Sequence, residues 1–161
     1  MKPDELERAY RDYGREVYLY ALSLCRDPHE AEELTSDAFY KAFLSLEESR
    51  APLRYWLLRV CRNSFLDRVR RRKSHPEDEL HDLPSDFDAD GRLIAGEERQ
   101  ALYRWLLRLP PRYREVLCMY YFLDRRIPEI AALTGQTQGA VRTALCRARA
   151  ALRQIAKEDE Q

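Results

Sequence analysis

The chain has 161 residues, enough for one ordinary domain or two small ones, and 45% of them are hydrophobic, so it can bury a core. Its 28 basic and 28 acidic residues give a net charge of zero, which excludes a uniformly basic or acidic protein. Glycine occurs only five times, while Ala, Leu, Arg and Glu dominate, and this favours helix. No apolar run approaches the roughly 20 residues that cross a bilayer, and the first ten residues carry acids where a secretory signal is apolar. These features predict an all-α cytoplasmic protein without membrane insertion.

The charge is unevenly distributed along the chain. Residues 51–73 contain 8 basic and 1 acidic residue, and residues 101–153 contain 10 and 3. Between them, residues 74–100 contain 2 basic and 9 acidic residues. Two separated basic blocks suit a protein that grips a polyanion at two places, although two solvated helical surfaces would give the same counts.

Three segments near the N-terminus have the apolar spacing of helices. The first covers 3–26 and places Leu6, Tyr10, Tyr13, Val17, Tyr20 and Leu24 on one side. The second begins with Asp27 as N-cap and Pro28 in the first helical position, and runs to about Leu46. The third covers 53–72, with an apolar side made of Trp56, Leu57, Val60, Cys61, Phe65, Leu66 and Val69. Its other side carries Arg59, Arg62, Asn63, Arg70 and Arg71.

Residues 74–95 break this pattern, because Pro, Ser, Gly and Asp are concentrated there. They predict a flexible acidic linker between two small helical domains, 1–73 and 96–161. The second domain begins with predicted helices at 96–108 and 111–122.

Residues 127–149, IPEIAALTGQTQGAVRTALCRAR, have the spacing of a helix-turn-helix unit. Ala131 allows the helices to cross, Gly135 tolerates the positive φ of the turn, and Val141 locks the pair together. Thr137 can cap the second helix. The outer side of that helix then carries Gln138, Gly139, Arg142, Thr143, Arg147 and Arg149, a row suited to base edges and phosphates of duplex DNA. An ordinary helical hairpin with a glycine cap remains the alternative.

Other kinds of site have little support in the sequence. The four cysteines are far apart, and we expect Cys61 and Cys118 to fill cores rather than to bind metal. Trp56 stands among arginines, where it could stack on an unpaired base, but its spacing fits a core residue as well. No nucleophile with a base and no phosphate-binding loop is visible, so we predict no enzyme activity, no metal and no cofactor.

With these residues placed, the sequence resembles the extracytoplasmic-function (ECF) class of bacterial sigma factors over nearly its whole length. DPHEAEELTSDAFYKAF resembles the helix that docks on RNA polymerase, and YWLLRVCRNSFLDRVRRRK resembles the helix that melts and reads the −10 element. LPPRYREVLCMYYF, followed by the helix-turn-helix unit, resembles the domain that reads the −35 element. In this chain Ser36 replaces a usual Gln and Ala144 a usual Arg.

The resemblance implies a role for each group of residues. Core polymerase would be bound at the clamp helices of its largest subunit by Glu32, Glu33 and Asp37. The −10 element would lie near Arg59, Arg62, Asn63 and Asp67, with Arg70 and Arg71 on the adjacent backbone. The −35 element would be met by Thr137, Gln138, Gly139, Arg142 and Thr143, with Arg147 on backbone. In the family the link before Trp56 carries a pocket for an extruded −10 base; this link is about two residues shorter than usual here, and Glu48, Ser49 and Arg50 are the candidates for that pocket.

The family also implies partners: promoter DNA, the flap of the second large polymerase subunit, and an anti-sigma factor that could hold the chain at the membrane. The sequence also allows two other interpretations. One is a helix-turn-helix regulator that binds a symmetric operator as a dimer without polymerase. The other is an adaptor that binds only a protein.

Overall fold

The computed structural model describes residues 2–45, 52–72 and 94–160, and every regular element in these ranges is helical. The predicted all-α fold class is confirmed. Contacts divide the chain into two units, Met1–Ser85 (unit 1) and Asp86–Gln161 (unit 2). Their boundary falls within the segment 74–95, most of which, like Glu48, Ser49 and Arg50, lies outside the described residues.

Unit 1 contains three helices: α1 (Pro3–Cys25), α2 (Pro28–Ser45) and α3 (Leu53–Arg72). Arg26 ends α1 in the left-handed conformation, with φ of 59°. Asp27 then opens α2, because its carboxylate accepts the backbone N–H of His29 at 3.0 Å. Pro28 follows as the first helical residue, where the missing N–H costs nothing. The predicted start of this helix is confirmed.

The core of unit 1 combines buried apolar residues from all three helices, namely Val17, Tyr20, Leu22, Leu34, Ala38, Leu57, Leu58 and Cys61. Two residues predicted on apolar sides are exposed instead. Tyr10 is 58% exposed, and its ring packs edge-on against Phe39 with centroids 5.1 Å apart. Leu66 is 36% exposed, because α3 packs through the side that carries Leu57, Cys61 and Ser64. Trp56 is half-buried.

Unit 2 contains α4 (Glu97–Leu106), α5 (Pro111–Leu117), α6 (Ile127–Thr134) and α7 (Gln138–Asp159). Its core includes Tyr103, Leu107, Met119, Ile130 and Val141, all fully buried. The end of α7 is fastened to α4, since Asp159 accepts the indole N–H of Trp105 at 2.7 Å. Thus one long helix runs from the helix-turn-helix unit to the first helix of its domain.

The segment predicted as one helix over 111–122 changes character part-way. It is α-helical to Leu117, and Cys118–Phe122 form a π-helical turn. The wider turn is visible in the bond from the Leu123 N–H to the Cys118 carbonyl, 3.1 Å long. Such turns appear mostly as single insertions and often accompany functional sites. None of the helices described is long and apolar enough to cross a membrane.

Candidate functional site

The helix-turn-helix unit of unit 2 has the geometry that its spacing predicts. Gly135 ends α6 with φ of 69°, a conformation that a side chain disfavours. No other atom lies within 4 Å of where its Cβ would be, so backbone conformation rather than space requires glycine. Thr137 then caps α7, because its hydroxyl oxygen accepts the Ala140 N–H at 3.0 Å. Both turn predictions are confirmed.

Apolar contacts fix the angle between α6 and α7. Ala131 and Val141, which the spacing predicts between the two helices, are buried, and so are Ile130, Leu133 and Leu145. Ala148 extends this buried row by one turn of α7. Because Val141, Leu145 and Ala148 occupy one side of α7, the opposite side is left to solvent.

That solvent side of α7 carries the residues predicted to meet DNA. Thr137, Gln138, Gly139, Arg142, Thr143 and Arg147 are all exposed. They stand at and after the N-terminus of a 22-residue helix, where unsatisfied N–H groups favour an anion. The row therefore presents amide, hydroxyl and guanidinium groups on one side of α7, and the opposite side of the helix is apolar and buried.

Arg149 does not belong to this row, contrary to the prediction. Its Nε donates to the Tyr121 hydroxyl at 2.7 Å, and its guanidinium lies 5.6 Å from the centroid of the Tyr120 ring. The hydrogen bond with Tyr121 raises the pKa of Arg149. This arginine thus anchors α7 to the π-helical turn.

An apolar groove not foreseen from the sequence lies beside that anchor. Its lining residues are Leu102, Leu106, Leu117, Tyr121, Phe122, Arg149, Leu152 and Arg153, and its volume is about 260 Å³. Leucines and a phenylalanine form its floor, and two arginines add positive charge. Such a groove suits the apolar side of a partner helix.

The basic helix of unit 1 is less open than its sequence implies. Arg59, Asn63, Asp67, Arg70 and Arg71 are exposed, whereas Arg62 is half-buried. Asp67 and Arg70 form an ion pair one turn apart. Asn63, Leu66, Val69 and Arg70 together line a shallow depression. Arg54, which the sequence places beside Tyr55 and Trp56, donates instead to Glu16 of α1 at 2.8 Å.

The three acids predicted to dock on polymerase stand on the outer side of α2. Glu32 is exposed, and Glu33 and Asp37 are about half-exposed. Arg68 of α3 donates to Glu33 at 2.8 Å and to Asp37 at 3.2 Å. The role of Arg68 was not predicted, although Arg68 lies seven residues after the buried Cys61 and hence on the side of α3 that packs.

The cysteines are placed as a mixture of core and surface thiols. Cys61 and Cys118 are buried, as predicted, and Cys146 is exposed on α7. Burial raises the pKa of the Cys25 thiol to about 12, so this group is neutral at physiological pH. Within the described ranges, no cluster of His, Cys, Asp and Glu could hold a metal ion.

Comparison with known proteins identifies both units. The model of sigma-70 region 2 matches residues 9–75, and that of sigma-70 region 4 matches residues 99–152. The ECF RNA polymerase sigma factor SigM of Bacillus subtilis is 27% identical over 153 residues, which cover 93% of this chain and 94% of that protein. The chain belongs to the ECF class of sigma factors. It directs promoter-specific transcription initiation by RNA polymerase.

Two further similarities agree with this assignment. The probable RNA polymerase sigma factor RfaY of Xanthomonas campestris is 34% identical over 85% of this chain, which spans only 36% of that longer protein. The structure of the sigma factor RpoE in complex with the anti-sigma factor NepR, from Bartonella quintana, has a TM-score of 0.76 at 22% identity. That match covers 95% of this chain and 97% of RpoE, and it shows the fold. A dimeric regulator without polymerase docking is not favoured, because it would have no need of sigma region 2.

Proposed function

We propose that the ECF sigma factor divides its work between the two units: residues 1–73 dock on polymerase and open the −10 element, and residues 96–161 read the −35 element. Residues 74–95 join them. The observation that carries this proposal is the exposed polar row on α7, held outward by a buried apolar side in the unit that resembles sigma region 4.

The −35 element is read in the major groove by the first two turns of α7. Gln138, Arg142 and Thr143 present donors and acceptors to base edges, while Gly139 lets the helix backbone approach. The Thr137 oxygen caps the helix, and its hydroxyl hydrogen can still donate to a phosphate. Arg147 lies one turn further along and binds the backbone, which adds affinity without sequence information.

The −10 element is held by α3 once its strands separate. Arg59, Arg62 and Asn63 lie along one side of the helix, and the pair of Asp67 with Arg70 continues it. Arg70 and Arg71 at the end of α3 suit the neighbouring backbone. Capture of unpaired bases in this region offsets the few kcal/mol that each unpairing costs. Trp56 lies near the start of the same helix and is half-buried.

Polymerase is engaged at two places. Glu32, Glu33 and Asp37 form an acidic surface on α2 that suits a basic surface on the clamp helices of the largest subunit. In unit 2 the apolar groove that contains Leu106 and Phe122 suits a helix from the flap of the second large subunit. With both units fixed on polymerase, the second promoter contact becomes effectively intramolecular.

We further propose that the chain acts by binding alone, without a catalytic site or cofactor, and that it works in the cytoplasm. The related sigma factor RpoE is known in complex with an anti-sigma factor. By analogy, an anti-sigma factor would cover the docking surfaces of this chain and could hold it at the membrane.

The proposal is tested with purified core polymerase and run-off transcription from random promoter fragments. A stable complex that starts transcripts at discrete sites with shared −10 and −35 sequences supports it. Tight binding to a palindromic duplex without core, together with no effect on initiation, would return the chain to the class of dimeric regulators.

A further inference from the structure

A single arginine of α3 contacts the acidic surface of α2 from its inner side. Arg68 donates one Nη to Glu33 at 2.8 Å and the other to Asp37 at 3.2 Å, and it lies 4.0 Å from Glu30. The Arg68 side chain is only 25% exposed, whereas those of Glu33 and Asp37 are 48% and 50% exposed. The guanidinium therefore supports two carboxylates that remain half open to solvent.

This geometry requires an arginine. A guanidinium has five donors in a planar fork and can serve two carboxylates at once, whereas an ammonium is a compact point charge. Glu33 and Asp37 are four residues apart on one helix, so their charges repel each other when no cation lies between them. The Arg68 hydrogen bond also lowers the pKa of Glu33, which keeps this carboxylate ionised. Burial acts to lower the pKa of Arg68, but its bonds to Glu33 and Asp37 outweigh this and raise it.

Both carboxylates can still bind a partner. Each accepts up to about four hydrogen bonds, and Arg68 uses one oxygen of each. Glu33 is shared in addition with His29, whose Nε2 lies 3.0 Å from its second oxygen. Glu32 adds a further exposed acid beside them, so the surface keeps an excess of negative charge. A basic surface can therefore bind the two carboxylates, whose side chains Arg68 already holds in place.

We propose that Arg68 is a positioning residue for polymerase docking: it holds the half-exposed carboxylates of Glu33 and Asp37 in place, where a basic surface of polymerase can bind them. The inference rests on the proposed docking role of those two acids. In this role Arg68 does not need to touch polymerase itself. It acts by reducing the side-chain freedom that docking must otherwise remove.

The test compares affinities of the full chain for core RNA polymerase by equilibrium competition against labelled wild type. Arg68→Met removes the charge and keeps a long side chain, and we expect it to weaken core binding roughly tenfold. Arg68→Lys keeps the charge but not the fork, and we expect a smaller loss. The matched control is Arg72→Met, which breaks another ion pair between α3 and α2, the 2.6 Å pair with Glu30, and leaves Glu33 and Asp37 untouched. It should lower the melting temperature at least as much as Arg68→Met but keep core affinity within about twofold.

A double-mutant cycle separates this inference from the function it rests on. In a chain with Glu33→Gln and Asp37→Asn, core binding should be weaker, and adding Arg68→Met should cause no further loss. Unchanged affinity of the Glu33→Gln/Asp37→Asn chain would remove the docking assignment itself. Weaker binding of that chain, with Arg68→Met alone neutral or tighter-binding, would overturn only the role of Arg68. An equal loss for Arg72→Met would likewise show a merely structural effect.

Discussion

The two arginine-rich helices use their charges differently. In α7, Arg142 and Arg147 are exposed on a side that the fold leaves free for another molecule. In α3, Arg68 and Arg72 pair with acids of α2, and Arg54 pairs with α1. Arg70 pairs with Asp67 of its own helix, so at least four of the basic residues in the described part of α3 are paired within unit 1. The number of arginines in a sequence gives an upper limit on the charges that can bind DNA. How many of them are exposed rather than paired with acids depends on how the helices pack.

If the two units divide their work as proposed, we expect unit 2 to bind a duplex by charge and shape, and unit 1 to depend on its attachment to polymerase. Removing an exposed arginine of α7 should affect DNA recognition and leave stability unchanged. Removing a paired group between α2 and α3 should affect stability and leave −35 recognition unchanged.

The largest expected effect is on promoter recognition through Arg142. Arg142→Ala should reduce discrimination between an intact and a scrambled −35 element by roughly 1–3 kcal/mol, which is the size expected if Arg142 makes the base contact proposed for it. Run-off transcription from both templates measures it. Lys157→Ala, an exposed cation near the end of the same helix, is the control and should discriminate as the wild type does. Equal discrimination by Arg142→Ala and wild type would mean that another surface reads the −35 element.

The helix-turn-helix unit could be predicted because its determinants are local. Gly135, Thr137 and the buried Ala131 and Val141 follow from spacing within about twenty residues. The roles of Arg68 and Arg149 could not, because their partners, Glu33 and Tyr121, are far away in sequence. The exposure of Leu66 also depends on which side of α3 meets its neighbours, and a helix with apolar residues on several sides leaves that choice to tertiary packing.

The next effect is on the stability of unit 1. Glu30→Gln should lower the free energy of unfolding by about 1–2 kcal/mol, because the largely buried Glu30 loses a charged hydrogen bond with Arg72. The loss is no larger because Arg72 is partly exposed, so solvent screens the pair. Urea titration followed by circular dichroism measures it. Glu7→Gln, whose pair with Arg11 is exposed, should change stability by less than about 0.5 kcal/mol. A similar loss in both variants would contradict the distinction between internal and surface pairs.

Arg147 and Arg149 allow the same comparison to be made within one helix. Arg147→Gln should reduce the slope of log affinity against log salt by about 0.9, as expected for one lost phosphate contact. Arg149→Gln should leave the slope near its wild-type value and lower the melting temperature instead, because Arg149 binds Tyr121. Filter binding of −35 duplex by polymerase with each variant provides the slopes. A salt slope reduced by the same amount in both variants would place both arginines on DNA, and a wild-type slope for Arg147→Gln would remove Arg147 from the backbone.

The smallest effect concerns thiol reactivity, which leaves the fold intact. Cys146 is exposed on α7 and should react first with iodoacetamide at neutral pH. Cys25 should react much more slowly, since its pKa of about 12 leaves little thiolate, and Cys61 and Cys118 are buried. Mass spectrometry of partly labelled chain gives the order. Promoter DNA bound through polymerase should slow labelling of Cys146, and faster reaction of Cys25 than Cys146 would contradict the structure.

The division of work between the two units is tested most directly by measuring core affinity and −35 discrimination in parallel for two variants. Glu33→Gln with Asp37→Asn should weaken core binding, yet initiate with normal −35 discrimination once core is saturated. Arg142→Ala should bind core as the wild type does and lose −35 discrimination. If either variant lost both properties while remaining folded, docking and −35 reading would not be separable, and the account would be wrong.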